Sequence, residues 1–402
     1  MGIRPDQGIR HIVVKNGQHA PVMTTAASEW GIGILATIVA LYLLLQVPAV
    51  EDEVKCAITK SFYLDYSPRT PNAETPIVSA LSETVPVKNK CDAADDPAIW
   101  VNQADPAQSF IIGTNKARGI NVYRLNGELA YHHPIGSSNN VDVRELNDPQ
   151  GARRVIVGAS NKGLGEIQIF ELNTQSGELL NILHEPIRAK TERETYGFCL
   201  YLAPDDQLYA IATDKSGQIE QWALQWLGSE LTGEFRRTLR VSTQPEGCVA
   251  DDINQTLFVG EEDVGIWKFD ARPDGAKEGT LIASTENEAL EADVEGLAIY
   301  ANSDGSGFLV ASSQGNDSYA LFDRTPPHAH IANFQIEFNG FRTGDTDGLA
   351  VTSLSLGSNF PDGLLVVQDG APTWLERHNQ NFKLVSWRDV QNSILLTPAN
   401  SP

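Results

Sequence analysis

A chain of 402 residues with 41% hydrophobic content is long and apolar enough for one large folded domain or two ordinary ones. Its 52 acidic against 30 basic residues give a formal charge of −22, which repels phosphate-rich polymers and argues against a nucleic-acid reader. The same surplus suits hard cations, which take several carboxylate oxygens each, although solubility alone would also account for it.

Residues 30–50, WGIGILATIVALYLLLQVPAV, carry no charge, and 21 residues of helix span about 30 Å, the thickness of a hydrocarbon core. Arg4, Arg10 and Lys15 precede this run and Glu51, Asp52 and Glu53 follow it. The excess of cations before it places residues 1–29 in the cytoplasm and the remainder in the periplasm or exterior. A transmembrane signal anchor is expected, with cleavage after Val47-Pro48-Ala49 and secretion as the alternative. Export permits disulfides, and there are four cysteines, Cys56, Cys91, Cys199 and Cys248. Cys199 and Cys248 occupy similarly placed motifs, YGFC and EGC, so a bridge between neighbouring sheets competes with two buried thiols. No C-x-x-C pair is present, which removes a zinc ribbon or thioredoxin-type site.

Residues 51–82 are polar and proline-containing and are expected to tether the domain that follows, 83–395. Within that domain one pattern recurs: a β-branched run, a polar turn with glycine, and a second alternating run. Copies begin at Phe110, Val155, Leu208, Leu257, Phe308 and, in degenerate form, Leu364, at intervals of 45, 53, 49, 51 and 56 residues. Each interval has room for four short strands. The period predicts an all-β, six-bladed β-propeller, because a four-stranded blade buries its faces only against the next blade. A β-sandwich is the weaker alternative, since it has no reason to repeat one hairpin at near-constant spacing. Ring closure is expected to combine DDPAIWV at Asp95 with FKLVSW at Phe382.

Equivalent turns of a propeller open on one face, and here they carry unlike charges. The first three hold Lys116, Lys162 and Lys215; the next three hold Glu261-Glu262-Asp263, Ser313-Gln314 and Gln368-Asp369. Three matched lysines in so acidic a chain suggest an anion site, and the opposing carboxylates suggest metal. Asp293 with Glu295, and Asp345 with Asp347, are spaced by two, which on a strand directs both side chains to one face. Asp92, Asp95 and Asp96 form another cluster, as do Glu246, Asp251 and Asp252. Surface turns explain any one such cluster, but not five within one array. There is no R-H-G motif, no cysteine followed six residues later by arginine, no G-x-S-x-G and no Walker A sequence. A water molecule activated by metal is therefore the economical nucleophile.

The ordered set DAADDPAIWV, TNKARGINVY, NNVDVR, GASNKG, YGFCLY, GQIEQW, EGCVADD, GEEDVGIWKF, ADVEGLAIY, SSQGNDSYALFDR, DTDGLAV and NQNFKLVSW resembles the β-propeller phytases over residues 83–387. The resemblance implies a calcium-dependent phosphomonoesterase acting on phytate and lower inositol phosphates, with several structural and catalytic Ca²⁺ ions. It implies active-site calcium ligands at Asp95, Glu246, Glu262, Asp293 and Glu295, with Glu261 and Asp345 beside them and Tyr196 as partner to cluster and phosphate. Glu83, Asp96 and Asp347 resemble structural-calcium ligands. Lys116, Lys162 and Lys215 fall where the family holds phosphate, with Asn140 and Asp142 in the adjoining loop. Lys162 departs from the family's usual arginine, keeping the charge but losing the two-pronged donor. A monomeric catalytic domain is expected. Two alternatives remain: a less selective calcium-dependent phosphomonoesterase, and a silent ligand-binding propeller.

Overall fold

Each recurring hairpin forms the second and third strands of a four-stranded antiparallel blade in the computed structural model, which describes residues 75–89, 92–190, 194–370 and 379–395. Six blades follow one another, as the period predicts, and the sheets of blades 2 and 5 carry additional short strands at their outer edges. The innermost strands are Ala94–Trp100, Ser138–Asn147, Thr195–Leu202, Pro245–Asp251, Val294–Ala301 and Leu349–Thr352, for blades 1 to 6. The expected membrane segment at 30–50 lies outside the described residues, and among those residues no helix is long and apolar enough to cross a membrane.

The hairpins are apolar almost throughout because both faces of every blade are covered. Among the described residues the core divides into six clusters, each shared by two adjacent blades. Along Phe110–Asn115 in blade 1, Phe110 and Ile112 face blade 2 while Ile111 faces blade 6. Contact is close enough to dictate residue size. A Cβ on Gly113 would strike the Phe382 ring of blade 6, and one on Gly158 the Phe198 ring of blade 3. A fully buried Phe or Leu contributes about 1.5–3 kcal/mol, so these interfaces, not the hairpins alone, hold the ring together.

Closure differs from expectation. Ala94–Trp100, which contains DDPAIWV, is the inner strand of blade 1, whereas Asn381–Ser386, which contains FKLVS, is the third strand of blade 6. The fourth strand of blade 6 is Ser82–Glu83. The chain leaves Ser386 as the helix Trp387–Leu395, whose Trp387 is fully buried and stacks on Tyr300, so the exposed sheet edge is completed from the N-terminal side. Just before it, Ile77–Ser79 pairs in parallel with the outer strand of blade 5, and just after it Val85 N–H donates to Gly127 O of blade 1 at 2.9 Å. The segment expected to be a tether through residue 82 thus contains two strands and straps three blades.

Cys199 and Cys248 are joined by a disulfide between the inner strands of blades 3 and 4, with Cα atoms 5.7 Å apart. The bridge closes a loop of 49 residues, and on the chain-entropy account a loop of that length contributes about 4 kcal/mol. Replacing both cysteines with serine is expected to lower Tm by several degrees in scanning calorimetry, with the blades still formed; an unchanged Tm would contradict this.

Candidate active site

The site is built by one backbone device used in five of the six blades. In blades 1 to 5 the inner strand gains one residue against its partner, between Ala94 and Pro97, Ser138 and Val141, Thr195 and Phe198, Pro245 and Cys248, and Val294 and Leu297. Such a bulge breaks the two-residue alternation and re-aims a side chain. The bulged pairs are Asp95-Asp96, Asn139-Asn140, Tyr196-Gly197, Glu246-Gly247 and Glu295-Gly296, and in blade 6 Asp347-Gly348 stands just ahead of the strand. The second residue is glycine in four of the six because the strands crowd at the axis. A Cβ on Gly197 would meet Glu246 O, and one on Gly247 would meet Glu295 O. Neighbours are also bonded directly: Gly296 N–H donates to Asp347 O at 3.3 Å and Gly348 N–H to Asp95 O at 3.1 Å.

Above this ring lie the turns that follow each second strand. Lys116, Lys162, Glu262, Gln314 and Gly370 make the same backbone bond, each N–H donating at 2.7–3.0 Å to a carbonyl near the start of its own blade; Lys215 holds the matching position in blade 3. The rim is basic on blades 1 to 3, as expected, but its acidic half shrinks to Glu262 and the exposed Asp263. Glu261 turns into the sheet, where Trp267 Nε1 donates to it at 2.7 Å and Thr243 donates through backbone and hydroxyl. Asp369 is tied to Lys383 at 2.9 Å.

Glu246, Glu262 and Glu295 converge: one carboxylate oxygen from each lies within 4.8 Å of the others. Both oxygens of Asp95, which is fully buried, and Oε2 of Glu295 have no hydrogen-bond partner. Burying carboxylate oxygens without donors is strongly unfavourable unless a cation meets them. An all-oxygen donor set of this density fits a hard divalent ion and offers no soft ligand. Lys116 partly fills the role, with Nζ 2.8 Å from Asp92, 3.1 Å from Asp347 and 3.7 Å from Asp95. Lys162 Nζ lies 3.4 Å from Asn139 Oδ1, and Lys215 Nζ lies 4.2 Å from the Tyr196 ring centroid.

Electrostatics follow from this crowding. Burial holds Asp95 and Glu295 well above the carboxylate range, with Glu246 adding repulsion to both. Glu262 is pushed up to about 7 by burial, with Glu246 and Asp293 adding to the rise and Gln244 opposing it. Asp347 reaches about 8, again through burial, despite the nearby Lys116. Tyr196 stays protonated far above its usual range because of burial and the charges of Glu246 and Glu295.

Several expected residues lie elsewhere. Asp293, Asp345 and Asp347 precede their strands, so their two-residue spacing does not set pairs on one strand face. Asp345 N–H donates to Asp317 at 2.7 Å, and burial raises its own carboxyl to about 6. Glu83 accepts from Asn381 at 2.9 Å and Lys383 at 2.6 Å, surroundings different from those of Asp96, whose Oδ2 accepts from Val141 N–H at 3.0 Å. Asp142 lines the central channel, the cavity enclosed by the inner strands of all six blades. Its Oδ1 accepts from Arg144 at 2.8 Å and its Oδ2 from Leu200 N–H at 2.9 Å, while Arg144 also donates to Asp252 at 2.7 Å. Asn140 Oδ1 accepts from Asn139 at 2.9 Å. Asn139 was missed, although the NN pair in NNVDVR matches DD, YG and EG at the same blade position; Asp92 and Gln314, which donates to Asp347 at 2.7 Å, belong to the site as well.

The model of the Phytase family matches residues 58–398. The chain belongs to the phytase family. It is a phosphoric monoester hydrolase of the phytase class, 40% identical over 324 residues to the 3-phytase of Bacillus subtilis (strain 168), a match that covers 78% of this chain and 84% of the relative. The phytase's acidic cluster can hold a metal ion.

A raised carboxyl pKa stabilises the folded state only while the proton is bound, so Glu262 contributes fully below its unfolded value near 4.5 and loses that contribution as pH rises through about 7. Metal-free Glu262→Gln is therefore expected to melt above wild type at pH 8, with the gap closing by pH 5. Calorimetry on chelator-treated protein checks this, and a gap that widens toward acid would overturn it.

Proposed function

We propose that this phytase removes phosphate from myo-inositol hexakisphosphate and lower inositol phosphates in a calcium-dependent reaction with water as nucleophile. The observation that carries the proposal is the convergence of Glu246, Glu262 and Glu295 beside the buried Asp95, whose oxygens accept no hydrogen bond, facing a rim of lysines. The relative named 3-phytase supports the substrate class. When bound, calcium supplies positive charge that acidifies water and offsets charge on phosphoryl oxygens.

Within that scheme Glu246, Glu262 and Glu295 hold the cation, with Asp95 and Asp293 at its margin. Lys162 and Lys215, both partly exposed, receive substrate phosphate and stabilise the charge that builds on its oxygens. Lys116 shares its single charge among Asp92, Asp95 and Asp347 and offsets them only in part. Tyr196 keeps its proton and is a hydrogen-bond donor, not a nucleophile. Glu83, Asp96, Asp345 and Asp347 are proposed to serve structural calcium. Residues 30–50 are proposed to carry the enzyme out of the cytoplasm as a membrane anchor, which cell fractionation tests.

Phosphate release from phytate, measured with calcium and then with excess EDTA, is the direct test: activity and a higher Tm are expected only with calcium. Glu295→Gln removes a charged ligand at nearly constant shape, so turnover should collapse while the fold persists. Lys215→Ala should lower kcat/KM by roughly ten- to thousandfold, the range for loss of one electrostatic contact to the transition state. If Glu295→Gln matches wild type at saturating calcium, the silent-propeller alternative takes over.

A further inference from the structure

Of the six side chains that the bulges and the Asp347-Gly348 pair bring to the axis, four are carboxylates, one is a phenol and one, Asn139, is a neutral amide. Asn139 is fully buried, and every polar atom of its side chain is engaged. Its Nδ2 donates to Glu246 Oε1 at 2.8 Å and to Asn140 Oδ1 at 2.9 Å, and its Oδ1 accepts from Lys162 Nζ at 3.4 Å. The amide orientation is determined by these partners. Turned over, it would set oxygen against two oxygen acceptors and an NH₂ group against an ammonium.

We infer that Asn139 is a positioning residue that couples the two halves of the site: it sets the rotation of Glu246 toward the metal cluster and anchors Lys162 toward substrate phosphate. The inference rests on the proposed function above. The physical reason is that Glu246 lies among like charges, with its neighbours Glu262 and Glu295 also seeking a cation. A donor that occupies Oε1 fixes the carboxylate's rotation, as outer partners of metal ligands commonly do. Asn supplies that donor without adding negative charge, whereas aspartate here would place another carboxylate against Glu246. On the rim side, Lys162 gains a fixed neutral acceptor, so its flexible stem is held near the site without its charge being cancelled. Nothing comparable serves Lys116, which is paired to carboxylates.

The test compares wild type with Asn139→Ala, Asn139→Ser and Lys162→Met. Calcium binding to substrate-free protein is followed by titration calorimetry, and kcat and KM for phytate are measured at saturating calcium. Asn139→Ala should weaken calcium binding by about ten- to a hundredfold, the usual range for losing an outer partner of a metal ligand. It should also raise KM, while kcat recovers as calcium saturates. Lys162→Met should raise KM with calcium affinity unchanged, and the double variant should raise KM no further than the larger single effect. Asn139→Ser, a milder change, carries the same comparison if the alanine variant does not fold. A folded Asn139 variant with the calcium affinity and KM of wild type overturns the inference alone. Wild type that neither binds calcium nor releases phosphate from phytate overturns the proposed function instead.

Discussion

The structure depends on how closely six strands can approach one axis. At their upper ends the backbone of a neighbouring blade occupies the space where a Cβ would sit, a carbonyl oxygen at Gly197 and Gly247 and the Gly348–Leu349 backbone at Gly296, which is why these positions are glycine. The same crowding makes the bulge useful. One extra residue per strand lets the residue before each glycine turn to the axis, where Tyr196, Glu246 and Glu295 meet side chains that are remote in sequence. The inner-strand part of such a site is rigid because its supports are sheet ladders and inter-blade cores, and the turns that carry Lys116, Lys162 and Glu262 are tied back to their own blades by backbone hydrogen bonds.

That rigidity bears an electrostatic load. Asp95, Glu295 and Asp347 are buried together, and their carboxyl groups are held above the usual range by burial and by the charge of Glu246. The partial remedies are local: Lys116 among three aspartates, Gln314 and Gln368 on Asp347, Asn139 on Glu246. Below the cluster every carboxylate oxygen of the next pair is hydrogen-bonded. Arg144 joins Asp142 and Asp252, and the remaining oxygens of these aspartates accept from the free edge N–H groups of Leu200 and Leu202, tying blades 2, 3 and 4 together. The contrast between a satisfied lower network and an unsatisfied upper one separates structure from chemistry along a single channel.

Inter-blade packing offsets the load. The apolar hairpin faces are divided between neighbouring interfaces, so the ring tolerates an interior collection of like charges that a thinner core would not. Closure by Ser82–Glu83, with Ile77–Ser79 bound to the preceding blade, removes the exposed edge at the seam where the ring would otherwise open.

The sequence by itself determined the number of blades, because a hairpin that is apolar on both faces and repeats about every 50 residues has no other place to bury itself. It also determined that Lys116, Lys162, Lys215 and Glu262 share a face, since repeat position maps directly to position around the ring. Tertiary structure alone decided which residues touch. Glu261 and Glu262 are adjacent in sequence, yet one caps Trp267 inside the sheet and the other joins the metal cluster. Asp142 reads as part of the loop adjoining the phosphate-holding lysines but belongs to Arg144, while Asn139, passed over in favour of its neighbour, spans the two halves of the site. The reason is the bulge: a one-residue insertion leaves hydrophobic spacing almost intact but changes which of two adjacent side chains faces the axis, and only the paired strands show where it falls.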